Sequence, residues 1–393
     1  MYYYLSSRKK FAYLNTWNFW KKKITTKNKT FFQVKDMYKK SKYQLLTKSE
    51  LSYFTNIVLK NIDIFYNSQI PSDCPIDDFL ISDHIYKEPI YFEKKKFSKT
   101  DKIIFVGDIH SSLHSLFQIL LKIKDDYFEN VDEMKLKKNH YIFFLGDLVD
   151  RGPFSLEILL LILNMKLSNK NNIFILNGNH ENYYINSYMG LLEEIKYENM
   201  IDRKKTFQLI NTIFNKMPEC IFIEIDGNWY QLSHGTFDVE ENYTYIKDFL
   251  QSEQTTLHQK TILKPTDISG YKWNDINMSI PLMKVNVRGS MDIGSKTIQK
   301  YLKETSIQCI LKGHQDLESI NIALKKNKEL EYNVKKSLLY NCYELFTPIQ
   351  DEFNLKDQNI HAYITSTASE SRQLRTNYCY LETTNNKMII NQG

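Results

Sequence analysis

The sequence contains no apolar run near the ~20 residues that a bilayer-spanning helix needs, and its N-terminus lacks the apolar core of a secretory signal. Its five cysteines are scattered and form no C-x-x-C pair, which excludes both a disulfide framework and a zinc ribbon. These absences predict an intracellular, cytoplasmic protein in a reducing compartment.

Acidic residues are nearly absent from residues 1–50, where 13 Lys and Arg residues accompany only two acidic ones. The remaining chain carries 39 basic and 44 acidic residues, so the net charge of +6 comes from this basic N-terminal arm. Aromatic residues such as Trp17 and Trp20 lie among its lysines, which permits contact with a polyanion, whereas the composition favours a solvated tail. Organelle targeting is a less favoured alternative, because residues 1–30 contain only one Arg.

The length of the chain and its 42% hydrophobic content predict a globular protein with one full core and room for a second, smaller unit. We interpret residues 1–100 as an extension and residues 101–393 as the main domain. Within the extension, apolar spacing indicates a short helix near 35–62, and a Pro- and Asp-rich stretch indicates a loop at 71–78. Residues 94–102 are interpreted as a basic, solvated connector.

Beyond this connector, short apolar strands alternate with segments of helical periodicity, which is typical of βαβ units and of a layered α/β fold. Core strands are predicted at Ile103–Val106, Tyr141–Leu145, Ile173–Leu176, Cys220–Ile225, Tyr230–Ser233 and Cys309–Lys312. Helices are predicted at 113–124, 154–166, 181–196, 202–216 and 293–304. Two charge-rich stretches, near 238–270 and 322–358, interrupt the pattern and are interpreted as surface insertions.

Polar side chains directly follow nearly every predicted core strand. They carry carboxylate, amide or imidazole groups and are Asp108, His110, Asp147, Asn179, His234 and His314. Because ligands bind at the carboxyl ends of strands in open α/β sheets, we expect these side chains to converge on one rim. Any one of them alone is more typical of a helix cap, a turn or an ordinary polar residue. Five such strand ends, each beside a glycine that lets the backbone bend closely around an ion, indicate a binding site.

The donor types in this set indicate which metal ions it binds. Carboxylate, imidazole and amide oxygen without thiolate suit divalent Mn, Fe or Zn, and they do not suit a structural zinc site. Two ions about 3.5–4 Å apart, which share one carboxylate and one hydroxide, can clamp the attacking and leaving oxygens of a displacement at phosphorus. Such a pair needs a bridging carboxylate, and Asp147 in the central motif is the predicted bridge.

The order and spacing of the motifs resemble those of a known family. The blocks are Gly107-Asp108-Ile109-His110, Gly146-Asp147-Leu148-Val149-Asp150-Arg151-Gly152, Gly178-Asn179-His180-Glu181, His234-Gly235 and Gly313-His314-Gln315. Over roughly residues 102–320 they resemble the calcineurin-like metallophosphoesterases. Further segments resemble the serine/threonine protein phosphatase branch, namely Met217-Pro218, Trp273-Asn274-Asp275 and Val287-Arg288-Gly289-Ser290. The resemblance implies a layered β-sandwich flanked by helices, a phosphoester hydrolase and a phosphorylated substrate, with a phosphoprotein favoured.

The resemblance also implies a role for each site residue. Six side chains would hold two metal ions, one through Asp108, His110 and Asp147 and the other through Asp147, Asn179, His234 and His314. Two arginines, Arg151 and Arg288, would hold the phosphate, and His180, paired with Asp150, would protonate the leaving group. The chemistry of these groups agrees with the implied roles, because a planar guanidinium matches phosphate oxygens and an imidazole held by a carboxylate suits general acid catalysis near neutral pH.

Three positions depart from the family pattern and leave the substrate class open. Asn177 stands where the phosphatase branch has Arg, Ser111 replaces a Gly after the first His, and Thr236 replaces a second Gly after His234. A hydrolase of small phosphoesters or dinucleoside polyphosphates would tolerate these changes and is the first alternative. A binding protein on an inactive phosphatase fold is the second, but the complete set of six ligands together with His180 argues against it.

Overall fold

The computed structural model describes most of the chain. The described residues are 16–22, 46–59, 61, 90–197, 202–259, 269–277, 279–315, 322–325, 328–329, 349–354, 360–364, 379–385 and 387–392. Helices α1 to α9 are Lys48–Tyr53, Leu113–Tyr127, Ser155–Ser168, Tyr183–Met189, Leu191–Tyr197, Arg203–Phe214, Thr244–Gln251, Gly270–Trp273 and Ser295–Thr305. Residues 17–22 are also helical, and α1 continues into a π-helix over Phe54–Leu59.

The strands are numbered in chain order. Strands β1 to β9 are Ile90–Phe97, Lys102–Val106, Phe128–Asn130, Lys135–Leu136, His140–Phe144, Ile173–Ile175, Cys220–Ile225, Asn228–Ser233 and Thr256–Gln259. Strands β10 to β19 are Asp275–Ile276, Met283–Val285, Met291–Ile293, Ile307–Lys312, Ile322–Lys325, Lys328–Glu329, Ile349–Asn354, Ile360–Ile364, Cys379–Thr384 and Lys387–Gln392.

Two large sheets pack against each other. The first has the strand order β16-β19-β18-β2-β5-β6, and the second has the order β15-β14-β17-β13-β8-β7-β1-β9. Strands β2, β5 and β6 are parallel, as are β8, β13 and β17. Along β2, Ile103 and Phe105 enter the core between the sheets, whereas Ile104 and Val106 enter a second core on the opposite face. Apolar residues on both faces of a strand are typical of a sheet that is covered on both sides.

Helices cover the outer face of each sheet. Helices α2, α3 and α6 pack with Ile104 and Val106 in one outer core, and α7 and α9 pack with Phe92 and Phe222 in the other. The order of layers is helix, sheet, sheet and helix. This arrangement confirms the predicted layered β-sandwich flanked by helices.

The predicted core strands are all present, with ends that differ by at most two residues from the prediction. The predicted helix at 181–196 is instead two helices, α4 and α5, which Gly190 separates with a φ of 146°. A Cβ at Gly190 would approach the backbone nitrogen of Arg151 to 3.2 Å. The break lets α4 end directly against the loop of Arg151, whose backbone N–H donates to the Met189 carbonyl at 2.9 Å.

The two stretches interpreted as surface insertions also extend the layers. Helix α7 and strand β9 lie within 238–270, where Ile246 and Phe249 are buried in an outer core and β9 pairs with β1. Strands β14, β15 and β16 lie within 322–358. The first two pair with each other at the edge of the second sheet, where β14 also pairs with β17. Strand β16 pairs with β19 at the edge of the first sheet. Charged residues interrupt the apolar periodicity of these stretches, so the periodicity did not predict their helix and strands.

The segment predicted as a solvated connector, 94–102, begins inside a buried strand. Strand β1 pairs with β7 and β9, and Lys94 is only 8% exposed. Its Nζ donates to the carbonyl oxygens of Phe249 at 2.6 Å and Ser252 at 2.5 Å, at the carboxyl end of α7. A lysine in this position adds a charged donor to the last carbonyl groups of the helix, which are its negative end. The connector prediction is therefore wrong for residues 94–97, which belong to the strand, whereas residues 98–100 are exposed as predicted. The second sheet contains strands from both sides of the predicted boundary at residue 100.

Two tryptophans of the N-terminal arm belong to the core of α2 and α3. Trp20 is fully buried, and Trp17 stacks on Phe117 of α2 with 4.6 Å between the ring centroids. For these residues the favoured interpretation as a solvated tail is wrong, because the aromatic rings pack on the folded layers. The many lysines of the arm favoured a solvated segment, whereas the burial of the two tryptophans depends on helices that lie much later in the sequence.

The second described part of the extension is α1, which falls within the helix predicted near 35–62. A capping box starts it, because Thr47 Oγ1 accepts from the Glu50 N–H and the Glu50 carboxylate accepts from the Thr47 N–H. The loop predicted at 71–78 lies outside the described residues.

Replacement of Trp20 by Ala should lower the free energy of unfolding by about 3–5 kcal/mol, because it leaves a cavity in a packed core. Lys22→Ala removes an exposed side chain from the same helical segment and is the control, with an expected change within about 0.5 kcal/mol. Denaturant unfolding measures both variants. Equal stability of Trp20→Ala and Lys22→Ala would show that the arm does not pack on the folded domain.

Candidate metal centre

The six predicted metal ligands lie together on the rim where the carboxyl ends of strands from both sheets meet. They follow five strands: Asp108 and His110 follow β2, Asp147 follows β5, Asn179 follows β6, His234 follows β8 and His314 follows β13. Each is at most 4% exposed. The sandwich thus brings together side chains that are up to 206 positions apart.

Asp147 lies between imidazoles from both sheets. Its Oδ2 is 3.4 Å from His110 Nε2 and 3.2 Å from His234 Nε2. Its Oδ1 accepts a hydrogen bond from the His180 backbone N–H at 2.9 Å. One carboxylate oxygen is therefore shared by two histidines, while the other fixes the orientation of the group.

The remaining donors also link the two sheets. Asn179 Oδ1 is 2.9 Å from both His234 Nε2 and His314 Nδ1. Asp108 Oδ2 is 3.9 Å from His110 Nε2, and its Oδ1 accepts from the His314 backbone N–H at 2.9 Å. Asp108 thus contacts residues that follow strands of both sheets, and Asn179 lies between His234 and His314.

The backbone of the site is strained. Residues with a left-handed φ, between 44° and 68°, include His110, Asp147, Asp150, Arg151 and His314. Such conformations are uncommon outside glycine and cluster at functional sites. The motif glycines allow the backbone to approach the ligands closely: a Cβ at Gly178 would collide with Asp147 Oδ1, and one at Gly313 with Asp108 Oδ1.

Burial and charge set the protonation of the centre. Burial holds the pKa of His110 and His314 well below its ordinary value, so both imidazoles are neutral, which is the form that binds metals. Burial also lowers the pKa of His234, but Asp147 and Asp108 outweigh it and raise that pKa to about 9. Burial opposes the charge of Asp147, yet His234 and His180 hold its pKa well below the ordinary value. The centre thus retains a charged carboxylate that attracts a cation.

The predicted acid pair forms beside the ligands. His180 Nδ1 is 2.9 Å from Asp150 Oδ2, and both side chains are buried. The His180 ring lies 4.8 Å from the His110 ring, edge to face. His180 therefore lies at the centre and is held by a carboxylate.

The two predicted phosphate-binding arginines occupy different parts of the rim. Arg151 follows Asp150 in the loop after β5 and is half-buried. Arg288 lies between β11 and β12, is exposed, and places Nη1 3.3 Å from His314 Nε2. The structure thus brings the Arg288 guanidinium beside His314.

The family model for calcineurin-like phosphoesterases matches residues 101–316, which are more than half of the chain. The chain belongs to the calcineurin-like phosphoesterase family. Membership implies divalent metal ions, in agreement with the donor set of the rim.

Two relatives illustrate the extent of the similarity. Serine/threonine-protein phosphatase rdgC of Drosophila melanogaster is 22% identical over 225 residues, which cover 55% of this chain and 32% of that protein. The chain thus matches about a third of the length of this curated relative. A solved serine/threonine phosphatase from Saccharomyces cerevisiae, described as similar to human phosphatase PP5, has a TM-score of 0.57 at 18% identity. The alignment covers 91% of this chain and 93% of that one and shows the shared fold.

None of the helices in the described part of this phosphoesterase is both long and apolar enough to cross a membrane.

The residues of this phosphoesterase fit a metal centre. Within the part of the chain that the structure describes, His110 Nε2 is buried without a hydrogen-bond partner and points at the carboxylates of Asp108 and Asp147. An unsatisfied buried polar atom costs about 1–3 kcal/mol, which a metal bond would offset. Two clusters offer ligand atoms that lie within 4.8 Å of one another, and Asp147 belongs to both.

One of these clusters contains His180 beside His110 and Asp147. The Nδ1 of His180 is already engaged by Asp150, which leaves only Nε2 for another role. His180 Nε2 can therefore either bind a metal ion or donate a proton. The metal content of the variant His180→Ala distinguishes the two roles.

The three departures from the family pattern lie behind the ligands. Ser111 Oγ contacts Ser155 Oγ at 2.6 Å, and Asn177 Nδ2 donates to the Phe214 carbonyl at 2.5 Å. Thr236 is fully buried, and its backbone N–H donates to Gly270 at 2.8 Å. These contacts make all three positions part of the support of the loops that carry the predicted ligands.

Glu181 is the last residue of the Gly178-Asn179-His180-Glu181 motif and has a structural role that the motif did not predict. Its Oε2 accepts from the backbone N–H groups of Asp147 at 2.7 Å and Gly178 at 2.9 Å, and its Oε1 accepts from Leu148 at 2.8 Å. One buried carboxylate thus joins the loops after β5 and β6. Its position directly after His180 was the available signal, but the contacts depend on two separate loops.

Replacement of Glu181 by Ala should lower the free energy of unfolding by at least about 3 kcal/mol, because each buried donor left unsatisfied costs about 1–3 kcal/mol. The affinity for Mn²⁺ should fall by roughly 10–100-fold, the usual cost of losing an outer-sphere partner. Glu194→Ala is the matched control, since Glu194 accepts from the Ser155 and Leu156 N–H groups at the start of α3. It should lower stability and leave Mn²⁺ affinity unchanged. Calorimetry measures both quantities, and equal Mn²⁺ affinities in the two variants would contradict the supporting role of Glu181.

Proposed function

We propose that this phosphoesterase is a serine/threonine protein phosphatase that hydrolyses phosphomonoesters with two divalent metal ions. The proposal rests on Asp147 Oδ2, which lies 3.4 Å from His110 Nε2 and 3.2 Å from His234 Nε2. A carboxylate oxygen between two imidazole nitrogens suits a bridge between two ions. The name of the curated relative, a serine/threonine-protein phosphatase, supports the substrate class.

In this proposal two sets of side chains would each hold one ion. The first set is Asp108, His110 and Asp147, and the second is Asp147, Asn179, His234 and His314. When bound, the pair supplies Lewis acid chemistry that neutralises phosphoryl charge and activates water. The mixture of carboxylate, imidazole and amide donors supports Mn, Fe or Zn.

The side chains around the ions bind the phosphate and move the proton. Arg151 and Arg288 bind phosphoryl oxygens with planar guanidinium groups, which stabilises charge that grows in the transition state. Asp150 engages His180 Nδ1, so Nε2 is the nitrogen that donates a proton to the leaving oxygen. The leaving alcohol of a phosphoserine or phosphothreonine needs that proton, because an alkoxide is a poor leaving group.

The proposed substrate is a phosphoprotein, and the proposed compartment is the cytoplasm. The free, buried thiols of Cys220 and Cys309 support a reducing compartment. The basic residues 1–50 contact a polyanion. Replacement of the exposed Lys21 and Lys22 by Gln tests this contact. The contact is supported if the variant keeps its phosphatase activity and loses its binding to a polyanion.

The experiment compares three substrates with the Mn²⁺-loaded full chain: p-nitrophenyl phosphate, a phosphoserine peptide and a dinucleoside tetraphosphate. We expect the aryl phosphate and the peptide to be hydrolysed, and a chelator to stop both reactions. Preference for the dinucleoside tetraphosphate would favour the small-molecule alternative. Absence of hydrolysis of every substrate would contradict the proposed function.

A further inference from the structure

The side chain of Asn186, in α4, is completely buried beside the acid pair. Its Nδ2 donates to Asp150 Oδ2 at 2.9 Å and to the His180 carbonyl oxygen at 2.5 Å. One amide group therefore joins the carboxylate of the pair to the backbone of the histidine that it orients. We propose that Asn186 is a positioning residue for proton donation by His180, an inference that rests on the function proposed above.

The contacts of Asp150 show why the amide matters. Its Oδ1 accepts from the Leu191 backbone N–H at 2.8 Å, and its Oδ2 accepts from Asn186 and lies 2.9 Å from His180 Nδ1. Partners on both oxygens fix the rotation of the carboxylate. Without Asn186 the Oδ2 atom keeps only its contact with the imidazole, and the plane of the carboxylate is free to turn about the Leu191 bond.

Orientation of the imidazole follows from the orientation of this carboxylate. A general acid requires its proton to lie within hydrogen-bond reach of the leaving oxygen, so a small rotation lowers the rate. Asn186 also binds the His180 carbonyl, which limits movement of the same residue at its backbone. The amide thus restrains both partners of the pair.

Helix α4 also supports the loop of Arg151. The helix contacts the pair through Asn186, and its last residue, Met189, accepts from the Arg151 backbone N–H at 2.9 Å. Weakening of α4 as a whole would therefore act through the loop of Arg151 and lower the rate for every phosphate ester by a similar factor. Loss of the Asn186 amide alone should disturb proton donation, and this difference separates a positioning role from a structural one.

Asn182 provides the matched control within the same helix. Its side chain caps the start of α4, because Oδ1 accepts from the backbone N–H groups of Tyr184 at 2.9 Å and Ile185 at 3.4 Å. Asn182→Ala weakens the helix and leaves the contacts of Asp150 in place. Both variants remove one asparagine amide from α4.

The test uses the full chain loaded with Zn²⁺ and two esters that differ in leaving group, p-nitrophenyl phosphate and a phosphoserine peptide. Asn186→Ala should keep the wild-type metal content and lower kcat for the peptide by roughly 10–100-fold, as is usual for a group that orients a reactive one. The loss for the aryl ester should be smaller, because nitrophenolate leaves without proton assistance. Asn182→Ala should leave the ratio of the two kcat values at its wild-type value.

A spectroscopic readout is independent of activity. In the NMR spectrum of the Zn²⁺-loaded protein, the proton on His180 Nδ1 should resonate downfield in the wild type and in Asn182→Ala. It should shift upfield or broaden in Asn186→Ala. If that variant does not fold, Asn186→Leu keeps approximately the volume, has no hydrogen-bond donor, and should give the same changes in rate ratio and resonance.

The outcomes separate this inference from the proposed function. If the wild type hydrolyses neither ester, the proposed function fails, and the Nδ1 resonance still decides the role of Asn186. An unchanged kcat ratio and an unchanged resonance in Asn186→Ala would overturn the inference. So would an equal change of ratio in Asn182→Ala.

Discussion

Asp147→Asn should lower phosphomonoester hydrolysis by about 10³-fold or more, on the scale of removing a principal electrostatic stabiliser. The carboxylate oxygen between His110 and His234 carries the charge that two ions would share, and an amide carries none. The fold should persist, because an amide oxygen at this position can still accept from the His180 N–H as Oδ1 does. The loss therefore measures charge and not packing.

The measurement combines kcat for p-nitrophenyl phosphate with circular dichroism and metal content. Asp101→Asn is the control, because Asp101 is also buried and accepts a backbone hydrogen bond, from Ser98 at 2.8 Å, outside the metal centre. It should retain wild-type activity and two ions. An Asp147→Asn variant with near wild-type turnover would exclude Asp147 as the bridge.

His180→Ala should slow turnover of a phosphoserine peptide by roughly 10²–10⁴-fold, the range expected for a general acid. Both ions should remain bound, because Asn179 and not His180 is the proposed ligand. Hydrolysis of p-nitrophenyl phosphate should fall much less, since its leaving group needs little proton assistance. The physical reason is the 2.9 Å contact of Nδ1 with Asp150, which leaves Nε2 to deliver the proton.

Metal content and leaving-group dependence decide between the roles of His180. His140→Ala is the control, because His140 is half-buried at the start of β5, where its Nδ1 contacts the Lys138 carbonyl oxygen and its ring packs against Tyr127. A uniform loss for both esters would remove the general acid role. Loss of one ion would instead assign His180 to the ligand cluster that it forms with His110 and Asp147.

The central layers could be predicted because β2, β5 and β7 are apolar runs of ordinary length. Strand β1 could not, because Lys94, Lys95 and Lys96 read as a solvated segment. Lys94 is buried because Nζ donates to carbonyl oxygens of α7 about 155 residues further along the chain. Such a contact depends on the tertiary fold, and the same holds for Trp20, whose core partners come from later helices.

The proximity of the six proposed ligands could be predicted because each follows a strand, and all except His110 neighbour a glycine. Their supports could not, since Glu181 and Asn186 act through backbone groups of other segments. A sequence pattern identifies a side chain with suitable chemistry, but it does not show which N–H or carbonyl group will face it. The strained φ values of Asp147 and His314 are likewise visible only in the folded chain.

The two-metal centre is tested most directly by titrating the chelator-treated protein with Mn²⁺ while native mass spectrometry counts bound ions and p-nitrophenyl phosphate reports activity. The structure predicts that the wild type binds two ions per chain and that hydrolysis appears as the second ion binds. Full activity with one ion, or without any metal, would contradict a centre in which Asp147 bridges two ions.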